Sequence, residues 1–142
     1  MATRFSYPVD VSPDGDGLLV VFPDIRGAAT GGATMEEALN EARDCLEEAL
    51  ARIIDDREPL PRPSPARGRP RVTPGALIAA KAALWEAMNE AGVSRTALAR
   101  DLSCDEAEVR RMLNPRHATK IARLEDALVL LGKRLVVGIE AA

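Results

Sequence analysis

SRTALARDLSCDEAEVRRML, from Ser94 to Leu113, reads as two short helices joined by a tight turn. Ser94 is placed to cap a first helix over Arg95 to Leu102, on which Leu98 and Leu102 stand one turn apart as a buried stripe. Small Ala99 lets a following helix cross closely. Beyond Ser103 and Cys104, either Asp105 with Glu108 or Ser103 with Glu106 supplies the capping pair of a second helix. That helix turns Val109, Met112 and Leu113 inward and leaves Glu106, Ala107, Arg110 and Arg111 outside. Two planar guanidinium forks on one short helix suit base edges and phosphates in a major groove, so the pattern predicts a helix-turn-helix that reads DNA. Glu106 opposes that reading, because a carboxylate repels phosphates unless it accepts a hydrogen bond from a cytosine amino group. Helical trios of this size also serve as protein-docking or structural modules.

The flanks complete a helical domain. Ala76 to Ala91 carries Leu77, Ala80, Leu84, Ala87 and Met88 on one face, and Gly92 stops it. Trp85 lies beside that stripe as a core or dimer contact, since no second aromatic accompanies it for base stacking. Asn114 to Lys120, NPRHATK, is a loop whose Arg116, His117 and Lys120 suit a phosphate backbone. The expected DNA-contacting set is therefore Arg95, Asp105, Glu106, Arg110, Arg111, Arg116, His117 and Lys120. Ile121, Leu124, Leu128 and Leu131 mark a closing helix ended by Gly132, after which Leu135, Val137 and Ile139 alternate as a terminal strand. A lone strand needs a partner: either its copy across a two-fold axis, giving a dimer that reads two half-sites, or its own subunit.

Upstream, the 16 residues Pro59 to Pro74, PLPRPSPARGRPRVTP, hold six of the ten prolines and cannot propagate a helix. They read as a Pro/Arg-rich linker between domains 1–58 and 75–142, with Arg71 to Thr73 able to add a strand to the first sheet. In the front domain Phe5, Tyr7, Val9 and Val11 alternate as a half-buried strand. The turn cluster SPDGDG (Ser12 to Gly17) leads into Leu18 to Phe22, making a hairpin, and a short third strand falls within Ile25 to Gly32. Thr34 and Glu37 form a capping box ahead of Ala38, Ala42, Cys45, Leu46, Ala49 and Ile53 at helical spacing, which predicts a long amphipathic helix.

Charge divides along the same boundaries. The first 58 residues carry 5 arginines against 13 carboxylates, the linker 4 arginines and no acids, and the remainder 10 basic against 9 acidic residues, within a net charge of -3. An acidic front half suits a basic protein partner better than a phosphate backbone. With 142 residues and 46% hydrophobic content the chain has enough apolar material for real cores. No apolar run is long enough to span a membrane and the N-terminus lacks a signal-like segment, so a cytoplasmic protein is expected. Cys45 and Cys104 are isolated, which suggests neither a zinc cage nor a disulfide framework and is read as two buried small hydrophobes. Lone His117 is not a catalytic signal, and no cofactor, metal or catalytic set is expected.

Taken together, Phe22-Pro23-Asp24 followed by Gly27, Thr30, Gly32, Thr34, Glu37 and Ala38, with the Tyr7-Pro8 strand before them, resemble HicB-type antitoxins of bacterial type II toxin-antitoxin modules. ALARDLSCDEAEVRRML and RHATKIARLEDALVLLGKRL extend the resemblance over nearly the whole chain and match the helix-turn-helix variant of that family. Two positions depart from it: Ser103 stands where such turns often have Gly, and Glu106 where a neutral polar residue is commoner. The resemblance implies an α+β protein with a truncated RNase H-like β-β-β-α-β domain that covers a small HicA-type RNA-cleaving toxin. It also implies a C-terminal helix-turn-helix that binds operator double-stranded DNA as a homodimer or higher homo-oligomer, repressing its own operon. On charge, Asp14, Asp16 and Asp24 are the toxin-contact candidates. The alternatives are a stand-alone regulator and a metal-dependent nuclease using Asp10, Asp24 and Glu37.

Overall fold

The computed structural model describes residues 5–142, which divide into two compact units, one ending at Ala79 and the other spanning Ala80–Ala142. In the first unit β1 (Tyr7–Pro8) and β2 (Asp10–Asp14) are one extended run broken only at Val9. β2 pairs antiparallel with β3 (Gly17–Val21), which pairs with β4 (Ala29–Gly32); β1 pairs with β5 (Arg71–Val72), Tyr7 opposite Val72. The Asp14–Gly17 pair closes on a two-residue loop whose first member, Gly15, has φ +59°, the conformation such a hairpin demands of its first loop residue. Pairing reaches the loop itself, so Ser12 to Asp14 are strand rather than turn.

α1 (Met35–Asp55) packs across this sheet because its apolar positions recur at helical spacing: Ala38, Ala42, Leu46, Ala49, Leu50, Ile53 and Ile54 are buried. Thr34 caps it, its hydroxyl accepting from the Glu37 N–H at 3.2 Å, while Glu37 reaches back to the Ala33 N–H at 3.1 Å. Small residues bring strand and helix unusually close. A Cβ on Gly32 would stand 2.5 Å from the Ala38 nitrogen. Phe5, Tyr7, Val9, Val20, Phe22 and Ile25 complete the core, each of the large side chains contributing about 1.5–3 kcal/mol by leaving water.

The Pro/Arg-rich stretch 59–74 is bound along the first unit. The Tyr7 hydroxyl donates to the Pro61 carbonyl at 2.7 Å, the Val9 N–H to the Pro70 carbonyl at 3.0 Å, and Ser6 and Thr73 hydroxyls meet at 2.6 Å. Proline forbids helix here but leaves carbonyls free to accept, which is how the strap is held. The strap returns as β5, which pairs with β1 in a two-stranded sheet separate from β2, β3 and β4.

α2 (Ala76–Ala91), α3 (Arg95–Asp101), α4 (Glu106–Leu113) and α5 (Ile121–Leu130) follow. Within the second unit Leu84, Trp85, Met88, Leu98, Val109, Met112, Leu113, Leu124 and Leu128 are buried. α5 ends with Gly132 at φ +74° and the Lys133 N–H on the Leu128 carbonyl, a left-handed close that satisfies otherwise orphaned carbonyls. Two further sequence expectations need correction. Leu135, Val137 and Ile139 form no strand: residues 133–142 have no regular structure, and Val137 and Ile139 are 83% and 101% exposed. Every element of the second unit is helical, so the tail has no strand edge of its own unit to pair with. Cys45 and Cys104 are only half-buried, Cys45 because its thiol reaches the Ala29 carbonyl at the rim of the sheet, 3.8 Å away.

Candidate functional site

The outward face of α3 and α4 is fixed by three local devices. The Ser94 hydroxyl accepts from the Ala97 N–H at 3.1 Å and starts α3; the Asp105 carboxylate accepts from the Glu108 N–H at 2.8 Å and starts α4. Of the two capping pairs that the sequence left open, Asp105 with Glu108 forms. Between them Ser103 takes φ +57°, with the Cys104 N–H on the Ala99 carbonyl and the Ser103 N–H on the Arg100 carbonyl. Ser103 thus occupies the left-handed position that closes α3, where Gly is favoured, and the chain reverses there into α4.

On this scaffold Arg110 and Arg111 are exposed on α4, and Arg116, His117 and Lys120 are exposed on the loop that follows. Arg111 is drawn to Glu108 at 2.7 Å, and that hydrogen bond raises its affinity for its proton. Glu106 accepts from the Thr96 hydroxyl at 3.4 Å, so the residue that departs from the family pattern ties α4 to α3. Arg95 sits with its guanidinium 5.7 Å from the Trp85 ring centroid, a cation–π arrangement. Trp85 is core, 6% exposed. Arg95 is half-buried on it, less open than Arg110 and Arg111. Asp105 is occupied by its capping role.

The most buried polar side chain of this unit was missed in the sequence. Lys81 on α2 is fully buried, its Nζ donating to the carbonyls of Arg111 (3.1 Å), Asn114 (2.7 Å) and His117 (2.5 Å) and to the Thr119 hydroxyl (2.8 Å). Burial pushes its pKa down to about 8. The signal was present: Lys81 falls four residues after Leu77 and three before Leu84, on the apolar stripe rather than off it.

In the first unit Asp14 and Asp16 are exposed at the β2–β3 hairpin. Asp24 differs. Its carboxylate accepts from the Ser64 N–H at 2.8 Å and the Ser64 hydroxyl at 3.0 Å, holding the 59–74 stretch, and is half-buried. Nearby burial, with a smaller contribution from Asp24, lifts the Tyr7 phenol to about 12. Arg69 reaches Asp10 at 3.3 Å and the Pro65 and Ala66 carbonyls at 3.0 Å, and Arg71 the Ser6 carbonyl at 3.5 Å, so two of the four arginines in the stretch bond within the first unit. The three residues considered for a nuclease centre have separate structural partners: Asp10 has Arg69, Asp24 has Ser64, and Glu37 has the Ala33 N–H. Among the described residues no three His, Cys, Asp or Glu side chains converge to hold a metal ion, and no helix is long and apolar enough to cross a membrane.

An acidic α/β unit followed by a helical unit with arginines on a short outward helix defines a two-part protein of mixed α+β class. Residues 6–83 match the family model described as HicB_like antitoxin of bacterial toxin-antitoxin system. The chain is 41% identical over 135 residues to Antitoxin HicB 2 of Photorhabdus laumondii subsp. laumondii, covering 95% of this chain and 96% of that one. It is 34% identical over 143 residues to Antitoxin HicB of Pseudomonas fluorescens (99% and 98%), and 35% over 131 residues to Antitoxin HicB of Escherichia coli K12 (91% and 95%). This chain belongs to the HicB-like antitoxin family, and those alignments span both units.

Proposed function

We propose that this antitoxin neutralises a small HicA-type RNA-cleaving toxin through its first unit and represses its own operon through its second. The toxin arm is supported by family membership together with the excess of carboxylates before Pro59, which complements a basic RNA-binding protein. With β1 and β2 counted as the one extended run they form, the order β-β-β-α-β accords with a truncated RNase H-like domain that acts by covering its partner, not by catalysis. Asp14 and Asp16, exposed on the hairpin, are the contact candidates; Asp24 contributes by holding the strap in place.

The single observation that carries the DNA arm is the α3–turn–α4 unit, capped at Ser94 and Asp105, that presents Arg110 and Arg111 with Arg116, His117 and Lys120 on the adjoining loop. In this reading α4 is the recognition helix of a helix-turn-helix and the loop contacts the phosphate backbone. The apolar tail, with Val136, Val137 and Ile139 exposed, pairs with its copy in a homodimer that spans two half-sites. Such a protein works in the cytoplasm. The test is to purify the tagged chain, expressed at native level in its own host, and identify its companion. A small basic protein that arrests growth when expressed alone, and is tolerated when co-expressed with this chain, is the expected result; recovery of no such protein contradicts the toxin arm. Charge reversal at Asp14 and Asp16 should weaken that complex.

A further inference from the structure

We infer that Lys81 is a positioning residue for DNA contact: from inside the second unit it sets the end of α4 and the 114–120 loop in the one shape that offers Arg116, His117 and Lys120 together to a phosphate backbone. The inference rests on the DNA-reading function proposed above. Three of the four oxygens around Lys81 Nζ are backbone carbonyls, from Arg111 in the last turn of α4, from its cap Asn114, and from His117 in mid-loop. The fourth is the Thr119 hydroxyl, which also donates to the Arg111 carbonyl at 3.5 Å. A single fully buried ammonium on α2 therefore gathers four points spread from residue 111 to 119.

The chemistry explains the choice of lysine. The last carbonyls of a helix lack intrahelical donors and carry the negative end of its dipole, so a cation there satisfies them twice over. An ammonium carries three protons in a compact head on a flexible stem and can serve converging carbonyls in a way that a planar guanidinium cannot. Within the loop the His117 N–H donates to the Asn114 carbonyl at 3.0 Å and the Arg116 N–H to the Asn114 side chain at 3.0 Å. Those two bonds shape residues 114–117, and residue 119 meets α4 through the longer Thr119–Arg111 bond; Lys81 is what joins the Asn114 and His117 carbonyls and Thr119 to the end of α4 at one point.

The test compares full-length wild type with Lys81→Met, which keeps the stem and removes the donors, and with Thr119→Val, which removes one acceptor at the loop's end together with the Thr119 bond to the Arg111 carbonyl. Binding to a duplex from upstream of the chain's own coding sequence is measured across a salt series, at a temperature where each variant is folded by circular dichroism. With about 0.9 in the log–log salt slope for each phosphate contact, losing two contacts lowers the slope by about 2 and the affinity at 0.1 M salt by about 50-fold. Thr119→Val is expected to lose about one unit of slope, which keeps the proposal testable should Lys81→Met fail to fold. A Lys81→Met protein that is less stable but binds with the wild-type slope overturns the inference and leaves Lys81 a structural residue only, as does a wild-type slope in Thr119→Val where Lys81→Met does not fold. If the wild type itself shows no dependence on Arg110, Arg111, Arg116 or Lys120, the DNA-reading function fails first, a result distinguished by those four single variants.

Discussion

Replacing Ser103 by Gly should stabilise the second unit. Ser103 holds φ +57° at the point where α3 closes, and it is exposed, so the substitution removes no buried surface. An L-residue in the left-handed region is disfavoured by roughly 1–2 kcal/mol through the contact of its Cβ with the backbone. Glycine escapes that contact but loses about 0.4–1 kcal/mol through the greater freedom of the unfolded chain. The difference leaves a net gain of about 0.5–1 kcal/mol. For a unit of this size it corresponds to a rise of about 2–8 °C in melting temperature. Ser103→Ala is the control, since alanine retains the Cβ and should fall within about 0.5 kcal/mol of wild type. Both variants are measured by urea unfolding and calorimetry. If Ser103→Gly is no more stable than wild type, or Ser103→Ala is stabilised equally, the left-handed turn between α3 and α4 is not the feature that governs this position.

Gly32→Ala should destabilise the first unit by about 3 kcal/mol, at the upper end for overpacking, because its Cβ meets backbone rather than a movable side chain, 2.5 Å from Ala38 N and 2.8 Å from Ala38 Cα. Denaturant unfolding followed by amide exchange in α1 and β4 measures it, and an unchanged midpoint contradicts the close crossing. The depressed pKa of Lys81 gives a pH prediction. A folded value of about 8 against an ordinary 10.5 means that the unfolded chain binds more protons between those values, so the Lys81 contribution rises with pH, being lost below 8 and complete above 10.5. Relative to Lys81→Met, wild-type stability should therefore increase by about 2 kcal/mol from pH 7 to 9.5; parallel profiles would mean that the four oxygens fully offset burial. Val137→Asp with Ile139→Asp should convert a dimer to monomer in sedimentation velocity, and a wild type already monomeric contradicts tail pairing.

Local signals carried much of this fold. The ends of α2 lie at Ala76 and Ala91 as periodicity and Gly92 require, and the caps at Thr34 and Ser94 form with the partners that their spacing dictates. Contacts between distant residues were not legible. Asp24 stood with Asp14 and Asp16 as a toxin-contact candidate because nothing near it in sequence reveals Ser64, 40 residues on, and nothing near Arg69 reveals Asp10, 59 residues away. The tail shows the converse limit: alternation in Leu135, Val137 and Ile139 assigns faces, but a strand also needs a neighbour for its N–H and C=O groups, and periodicity supplies none. Lys81 escaped notice because a lysine is read as solvated unless its place on the apolar stripe is weighed against its charge.

Toxin neutralisation, as proposed, is tested most directly with the small companion protein recovered with this chain and with RNA as its substrate. RNA is incubated with that protein alone and with increasing amounts of this chain. An equimolar amount is expected to abolish cleavage, and the Gly32→Ala protein, with its first unit weakened, to inhibit less. Undiminished cleavage in the presence of a molar excess of folded wild-type chain would contradict the proposed neutralisation.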